Sequence, residues 1–152
     1  MGSPDRRAAV THVRVAGIKD AEALAALSAQ LGYQADAAAV AQRLRDTAGD
    51  DGGLSLVAES ADGRVAGFAR ALVQHFVVDE AFVELAALVV DDAARGAGVG
   101  AALLAAVEAW ARKRGFASVH VRSNVIRERA HRFYLREGYI EKKRQAVFVK
   151  RF

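Results

Sequence analysis

The segment Arg95-Gly96-Ala97-Gly98-Val99-Gly100 has the residue types and spacing most directly suited to chemistry. Glycines permit backbone conformations that side chains forbid, and they let a ligand come close to the main chain. The apolar run Phe82–Val90 precedes the segment, and Leu103, Leu104, Val107 and Trp110 follow it at helical spacing. The glycines therefore join a strand to a helix. A helix start offers unpaired N–H groups and the positive end of a dipole, and together these form an anion site. Arg95 adds a charge-assisted contact for a phosphate. The same glycines also suit a tight strand-to-helix connection with no ligand.

Two nucleotide motifs are excluded by spacing. A P-loop ends in Gly-Lys-Ser/Thr, and this loop ends Gly100-Ala101-Ala102. A dinucleotide-binding turn places its last glycine three residues after the second and follows with a strand ending in an acid. Here Gly98 and Gly100 are two apart, and the next strand ends at Arg122.

Other chemistries are limited by composition. The chain has no cysteine, which excludes disulfides, thiolate metal sites and a cysteine nucleophile, and agrees with a cytoplasmic location. His12, His75, His120 and His131 show no paired metal spacing, so no metal is expected. The net charge of +4 suits a polyanionic partner or a solvated basic surface. Arg112-Lys113-Arg114 and the arginines of Arg127–Arg136 lie on several helix faces without an interleaved aromatic platform, so nucleic acid is not expected as a partner. No apolar run approaches the roughly 18 residues of a membrane span, and no membrane partner is expected. Hydrophobic residues make up 53% of the 152, enough for a core. Met1–Ala9 is polar, holds the only proline and is expected to be a flexible leader, native or added, before one domain over 10–152.

The elements that must position the loop follow from periodicity. His12–Ile18 alternates as a first strand. Asp20 is placed to cap a helix over Ala21–Leu31, and Asp36 a second through Arg45. Leu54–Ser60 and Arg64–Gln74 are strands around the turn Ala61-Asp62-Gly63. Phe82–Val90 is a strand buried on both faces, followed by a helix from Val99 to Arg114. Ala117–Arg122 is a strand, Arg127–Glu137 a helix, and Tyr139–Phe152 one or two closing strands. The order βααβββαβαβ implies an α/β (α+β) domain, a mixed sheet with helices on its faces.

With these motifs in place, the sequence resembles the GNAT superfamily of N-acetyltransferases over about residues 10–152. The resemblance rests on Leu88-Val89-Val90-Asp91, on Arg95-Gly96-Ala97-Gly98-Val99-Gly100, on Ser123-Asn124, on Ala130-His131-Arg132-Phe133-Tyr134 and on Gly138-Tyr139. It implies a mostly antiparallel sheet of six to seven strands with about four helices. It also implies direct transfer of an acetyl group from acetyl-CoA to an amine, here expected to be that of a small molecule. By position, Arg95, Gly96, Ala97, Gly98, Val99, Gly100 and Ala101 would hold the pyrophosphate. Leu88, Val89 and Val90 would line the pantetheine arm, with the thioester carbonyl near the Leu88 N–H. Asn124 and His131 would flank the cofactor. Tyr134 would protonate the departing thiolate, and Glu84 would take the proton of the amine. Each has a plainer alternative: Tyr134 packed beside Phe133, Asn124 leading a turn, Glu84 solvated or salt-bridged, His131 at the surface. Many small-molecule members carry acids where this chain has Ala86 and Ala87, which keeps open an acyl-CoA-binding regulatory module. A protein or peptide acceptor is the other alternative. Tyr33, Gln34, His75, Phe76, Asp79 and Glu80 fall where the acceptor wall is expected. Family members are often homodimers, and Gln145–Phe152 is the edge expected to pair across chains.

Overall fold

The computed structural model describes residues 10–152, so the leader expected over Met1–Ala9 lies outside the described residues. Contacts divide the chain into two compact units, one ending at Val121 and one running from Arg122 to Phe152. The first contains β1 (Val10–Val15), α1 (Ala21–Gln30), α2 (Ala37–Thr47), β2 (Gly53–Ser60), β3 (Val65–Gln74), β4 (Phe82–Val90), α3 (Val99–Lys113) and β5 (Val119–Val121). The second contains α4 (Glu128–Arg136).

Strand order follows chain order, β1-β2-β3-β4-β5. Pairing is antiparallel as far as β4 and parallel between β4 and β5. The sheet is mixed and mostly antiparallel, as the sequence implies. It has five strands among the described residues, not six to seven, and the shortfall is at the C-terminus. Tyr139–Phe152, including the expected edge Gln145–Phe152, contains no strand. Val147, Phe148 and Val149 are contiguous rather than alternating, and all are exposed. Residues with strand propensity do not form a strand unless a partner edge receives them. Strand β5 is likewise shorter than Ala117–Arg122.

The core forms where small β3 residues admit α3. Gly67, Ala69 and Ala71 alternate along β3, and a Cβ on Gly67 would lie 2.8 Å from Val89 O and 2.8 Å from Val99 Cγ1. Helix α3 buries Val99, Leu103, Leu104, Val107 and Ala111. Trp110, expected on that inner face, is only half-buried, with the Arg114 guanidinium 5.1 Å from its ring centre. Alternation puts Phe68, Arg70, Leu72 and Gln74 on the opposite face of β3. Helix α1 packs on β3 and β4 and buries Leu24 and Leu27.

Asp20 does not cap α1 through its side chain. Its carboxylate is taken up elsewhere: Arg14 donates to both oxygens at 2.8 Å, and the Gly17 N–H donates at 2.7 Å. Arg14 also donates to Glu59 of β2 at 2.7 Å. The fork geometry of arginine lets one side chain tie β1 to β2 and to the start of α1. Asp36 does cap α2, accepting from the Ala39 N–H at 2.7 Å.

The Arg14 hydrogen bonds hold the Asp20 carboxyl below the usual aspartate range. A depressed folded pKa contributes stability that is full above the unfolded value, near 3.9, and is lost as pH falls through the folded value. Asp20→Asn is therefore expected to cost about 2 kcal/mol at pH 7, because Arg14 keeps Glu59 as a partner. In denaturant titrations the gap between wild type and variant narrows as pH falls below about 3.9 and closes only below the folded value. An equal gap at pH 7 and pH 3 would show that the carboxylate charge is not responsible.

Candidate active site

Strand β4 is paired along its whole length on one side and only briefly on the other. With β3 it pairs from Phe82 to Val90. With β5 it pairs only over Val83, Glu84 and Leu85. The β3 register slips in between: Arg70 faces Ala87 and Ala71 faces Leu85, so Ala86 is the extra residue of a β-bulge. The bulge shifts the phase of the backbone. The Val83 N–H donates to Ser118 O, so before the bulge the odd positions turn to β5. The Asp91 N–H donates to Ala66 O at 2.8 Å, so after it Ala87, Val89 and Asp91 turn to β3. The N–H groups of Leu88 and Val90 are thereby directed to the edge that β5 leaves open.

That edge runs into the glycine turn. Asp91 leads a short 3-10 turn, Asp92–Ala94, and its side chain accepts from the Ala93 N–H. Gly96 and Gly98 have φ of +83° and +80°, a region costly for other residues, and Gly98 is the N-cap of α3. The first bond of α3 runs from the Ala102 N–H to Gly98 O at 3.0 Å. Val99, Gly100 and Ala101 thus have no intrahelical acceptor and present their N–H groups at the positive end of a 15-residue helix. The Ala97 N–H, also expected in the anion cradle, donates instead to Ala94 O at 3.3 Å. Arg95 is half-exposed and paired with Asp92 at 2.6 Å. It reaches an anion only by leaving or sharing that carboxylate.

Glu84 is buried on β4, on the face away from α3, and accepts from the Gln74 side chain at 2.7 Å. Gln74 was not singled out by the sequence, although alternation on two paired strands puts it beside Glu84. His120, without a role in the sequence reading, pairs in register with Glu84. Its ring stacks on Phe82 with centres 3.6 Å apart, and Phe82 stacks on Phe76 at 5.2 Å. Its Nε2 lies 3.1 Å from Ser118 Oγ. These rings line the β4–β5 end of the sheet next to Glu84.

In the second unit Asn124 forms a turn. Its side-chain oxygen accepts from the Ile126 N–H at 3.2 Å, and its backbone oxygen accepts from Arg127 N–H. His131 Nε2 lies 3.0 Å from the same backbone oxygen. Asn124 and His131 are therefore brought together, with Asn124 in the turn-forming role that was its plainer alternative. Tyr134 is half-buried on α4, edge-on to Phe133 and Tyr139 with centres 5.2 and 5.8 Å away. Burial pushes its phenol up to about 12, against a smaller opposing effect of the Arg127 charge.

Among the described residues no cluster of three or more His, Asp or Glu is placed to hold a metal ion, and no helix is long and apolar enough to cross a membrane.

An open β4 edge ending in a glycine turn at a helix start is a recognisable arrangement, and comparison with known proteins decides its family. The family model described as acetyltransferase (GNAT) family matches residues 21–139. The chain belongs to this family. It is an acyltransferase of the N-acetyltransferase kind. It is 34% identical over 142 residues to an aminoglycoside N(6')-acetyltransferase type 1 of Stenotrophomonas maltophilia, covering 90% of each chain. Over 56 residues, 37% of this chain and 36% of the relative, it is 46% identical to an aminoalkylphosphonate N-acetyltransferase of Salmonella typhimurium. Its fold is that of a transcriptional regulator from Bacillus halodurans, with TM-score 0.83, 18% identity, and 93% and 99% of the two chains covered. The same fold is found in an aminoglycoside N-acetyltransferase in complex with CoA, with TM-score 0.82, 24% identity, and 93% and 95% covered.

The glycine turn of this GNAT chain depends on the seat of α3 over Gly67. Gly67→Ala forces Val99 or the β4 backbone to move and is expected to cost about 2 kcal/mol. That corresponds to a fall in Tm of roughly 5 °C for a chain of this size, read by thermal unfolding. An unchanged Tm would mean that α3 is not seated on β3 as described.

Proposed function

We propose that the chain transfers an acetyl group from acetyl-CoA to the amine of a small molecule, by direct attack within a ternary complex. The observation that carries this reading is the open β4 edge, Leu88 to Val90, leading into unpaired N–H groups at Val99, Gly100 and Ala101. A pyrophosphate fits the helix start, where main-chain donors and the dipole favour negative charge. A pantetheine arm, with its two amides, fits a strand edge that offers N–H groups at alternate residues. The donor set therefore suits coenzyme A. In this reading Arg95 contacts a phosphate in exchange for, or together with, Asp92. The family resemblance assigns Asn124 and His131 to the cofactor as well.

The amine nitrogen attacks the thioester carbonyl carbon, and the Leu88 N–H holds the oxygen on which negative charge grows. Glu84 removes the proton from the amine, directly or through water, with its carboxylate oriented by the Gln74 amide. The C–S bond breaks, and the thiolate takes the Tyr134 proton. A phenol held near 12 stays protonated throughout the neutral range and gives up its proton only as sulfur becomes charged.

A small acceptor is favoured by the aminoglycoside and aminoalkylphosphonate relatives. Tyr33, Gln34 and Asp36 line an open surface depression of about 550 Å³ at the α1–α2 connection, where part of the acceptor wall is expected. His75, Phe76, Asp79 and Glu80, exposed on the β3–β4 connection, supply the remaining expected wall.

The deciding measurement is CoA release with acetyl-CoA across a panel of aminoglycosides, polyamines, aminoalkylphosphonates and peptide N-termini. Release with a small amine and none with peptides is expected. Calorimetric binding of acetyl-CoA with no transfer to any amine would instead favour a regulatory acyl-CoA-binding module. Tyr134→Phe is expected to lower kcat by about 10²-fold while acetyl-CoA affinity stays within twofold. The kcat of wild type should show no loss from phenol ionisation up to about pH 9.5, since the folded pKa is raised. Unaltered turnover in the variant removes Tyr134 from the reaction.

A further inference from the structure

Gln30, the last residue of α1, joins that helix to the chain just ahead of the glycine turn. Its Nε2 donates to Asp91 Oδ1 at 3.3 Å, and its Oε1 accepts from the Asp92 N–H at 2.9 Å. These partners are 61 and 62 residues away in sequence. The segment they hold is short: Asp91 N–H donates to Ala66 O of β3, and the other bonds are local, Asp91 Oδ1 to the Ala93 N–H and Asp92 to Arg95.

We infer that Gln30 is a positioning residue for the donor-binding turn, setting its geometry and moderating its charge. The inference rests on the reading of the turn as the acetyl-CoA pyrophosphate site. Two physical points support it. First, every residue from Asp91 to Ala94 lies between the fixed end of β4 and the two left-handed glycines, which accept a wide range of backbone angles. A tether to a second, packed element removes that freedom before the ligand arrives, so less is lost on binding. Second, the two carboxylates of Asp91 and Asp92 stand directly before a site for a dianion. The Gln30 amide group faces one and Arg95 the other, so neither acid is left as a bare charge facing the turn. A primary amide is the group required, because it accepts from the Asp92 N–H and donates to the Asp91 carboxylate at once. A carboxylate in its place keeps the first bond, loses the second and adds a third negative charge.

The test is acetyl-CoA binding by calorimetry, together with steady-state kinetics on an amine that the wild type acetylates. Gln30→Ala is expected to raise Kd and KM for acetyl-CoA about tenfold, the loss of two hydrogen bonds, and to leave kcat within twofold. Gln30→Glu, nearly the same shape, is expected to raise them further. Its gap from Gln30→Ala should narrow between 50 mM and 500 mM salt, as a charge effect must. Gln42→Ala, an equivalent truncation on the exposed face of α2, should change neither constant. Thermal unfolding of each variant separates a donor-site effect from a loss of fold. Equal acetyl-CoA affinity in wild type and Gln30→Ala overturns the role of Gln30 and leaves the donor reading intact. So does a Gln30→Glu variant no worse than Gln30→Ala at low salt. Wild type that fails to bind acetyl-CoA overturns both.

Discussion

One extra residue in β4 governs the candidate site. Without Ala86 as a bulge, the N–H groups of Leu88 and Val90 would point into β3 and be satisfied there. With it, the ladder to β3 is kept, but the next stretch of backbone is turned over, and its donors face the side that β5 has left. A strand edge with unpaired donors inside a domain is ordinarily a liability. Here it continues directly into the start of α3, which has unpaired donors of its own. The two sets form one line of main-chain hydrogen-bond donors, first along a strand and then around a helix end. Gly67 supports this from beneath, because only a residue without a side chain lets Val99 sit against β3 close enough to put the helix start at the end of β4.

Much of this was legible in the sequence, and the parts that were not share a physical cause. The limits of β4 and the start of α3 follow from local pattern, since the apolar run ends at Asp91 and helical spacing begins at Val99. Asp36 as a cap is likewise local chemistry, a carboxylate within reach of the N–H three residues on. The left-handed turn at Gly96 and Gly98 was legible because few residues other than glycine are stable there. What sequence could not supply was the partner. Asp20 has the right type and place to cap α1, yet Arg14 and Gly17 claim its carboxylate. Arg95 has the right type for a phosphate, yet a carboxylate three residues back holds it. Tyr139–Phe152 has strand-forming residues and no strand, because pairing depends on an edge elsewhere in the chain. The bulge at Ala86 belongs to the register between two strands, and neither strand alone reveals it.

The acid side of the candidate site shows the same dependence on partners. Glu84 stands out in sequence as a single acid in an apolar strand. Its surroundings come from two different neighbours: Gln74 from the strand on one side, and His120 in register on the other, with Phe82 and Phe76 stacked beyond. A carboxylate so placed has a hydrogen-bonded orientation and an aromatic wall.

Recognition by main-chain groups also bears on how such a chain can diverge. A donor made of backbone N–H groups is the same whatever side chain the residue carries. Another residue can stand at position 101, provided that the two left-handed positions and the packing of Val99 over Gly67 are kept. The strand edge and helix start are then tolerant of substitution, while the α1–α2 and β3–β4 connections are free to change. A protein with only 18% of its residues in common has the same architecture at a TM-score of 0.83. Drift in such a chain erases sequence likeness faster than it erases the geometry of the strand edge and the helix start.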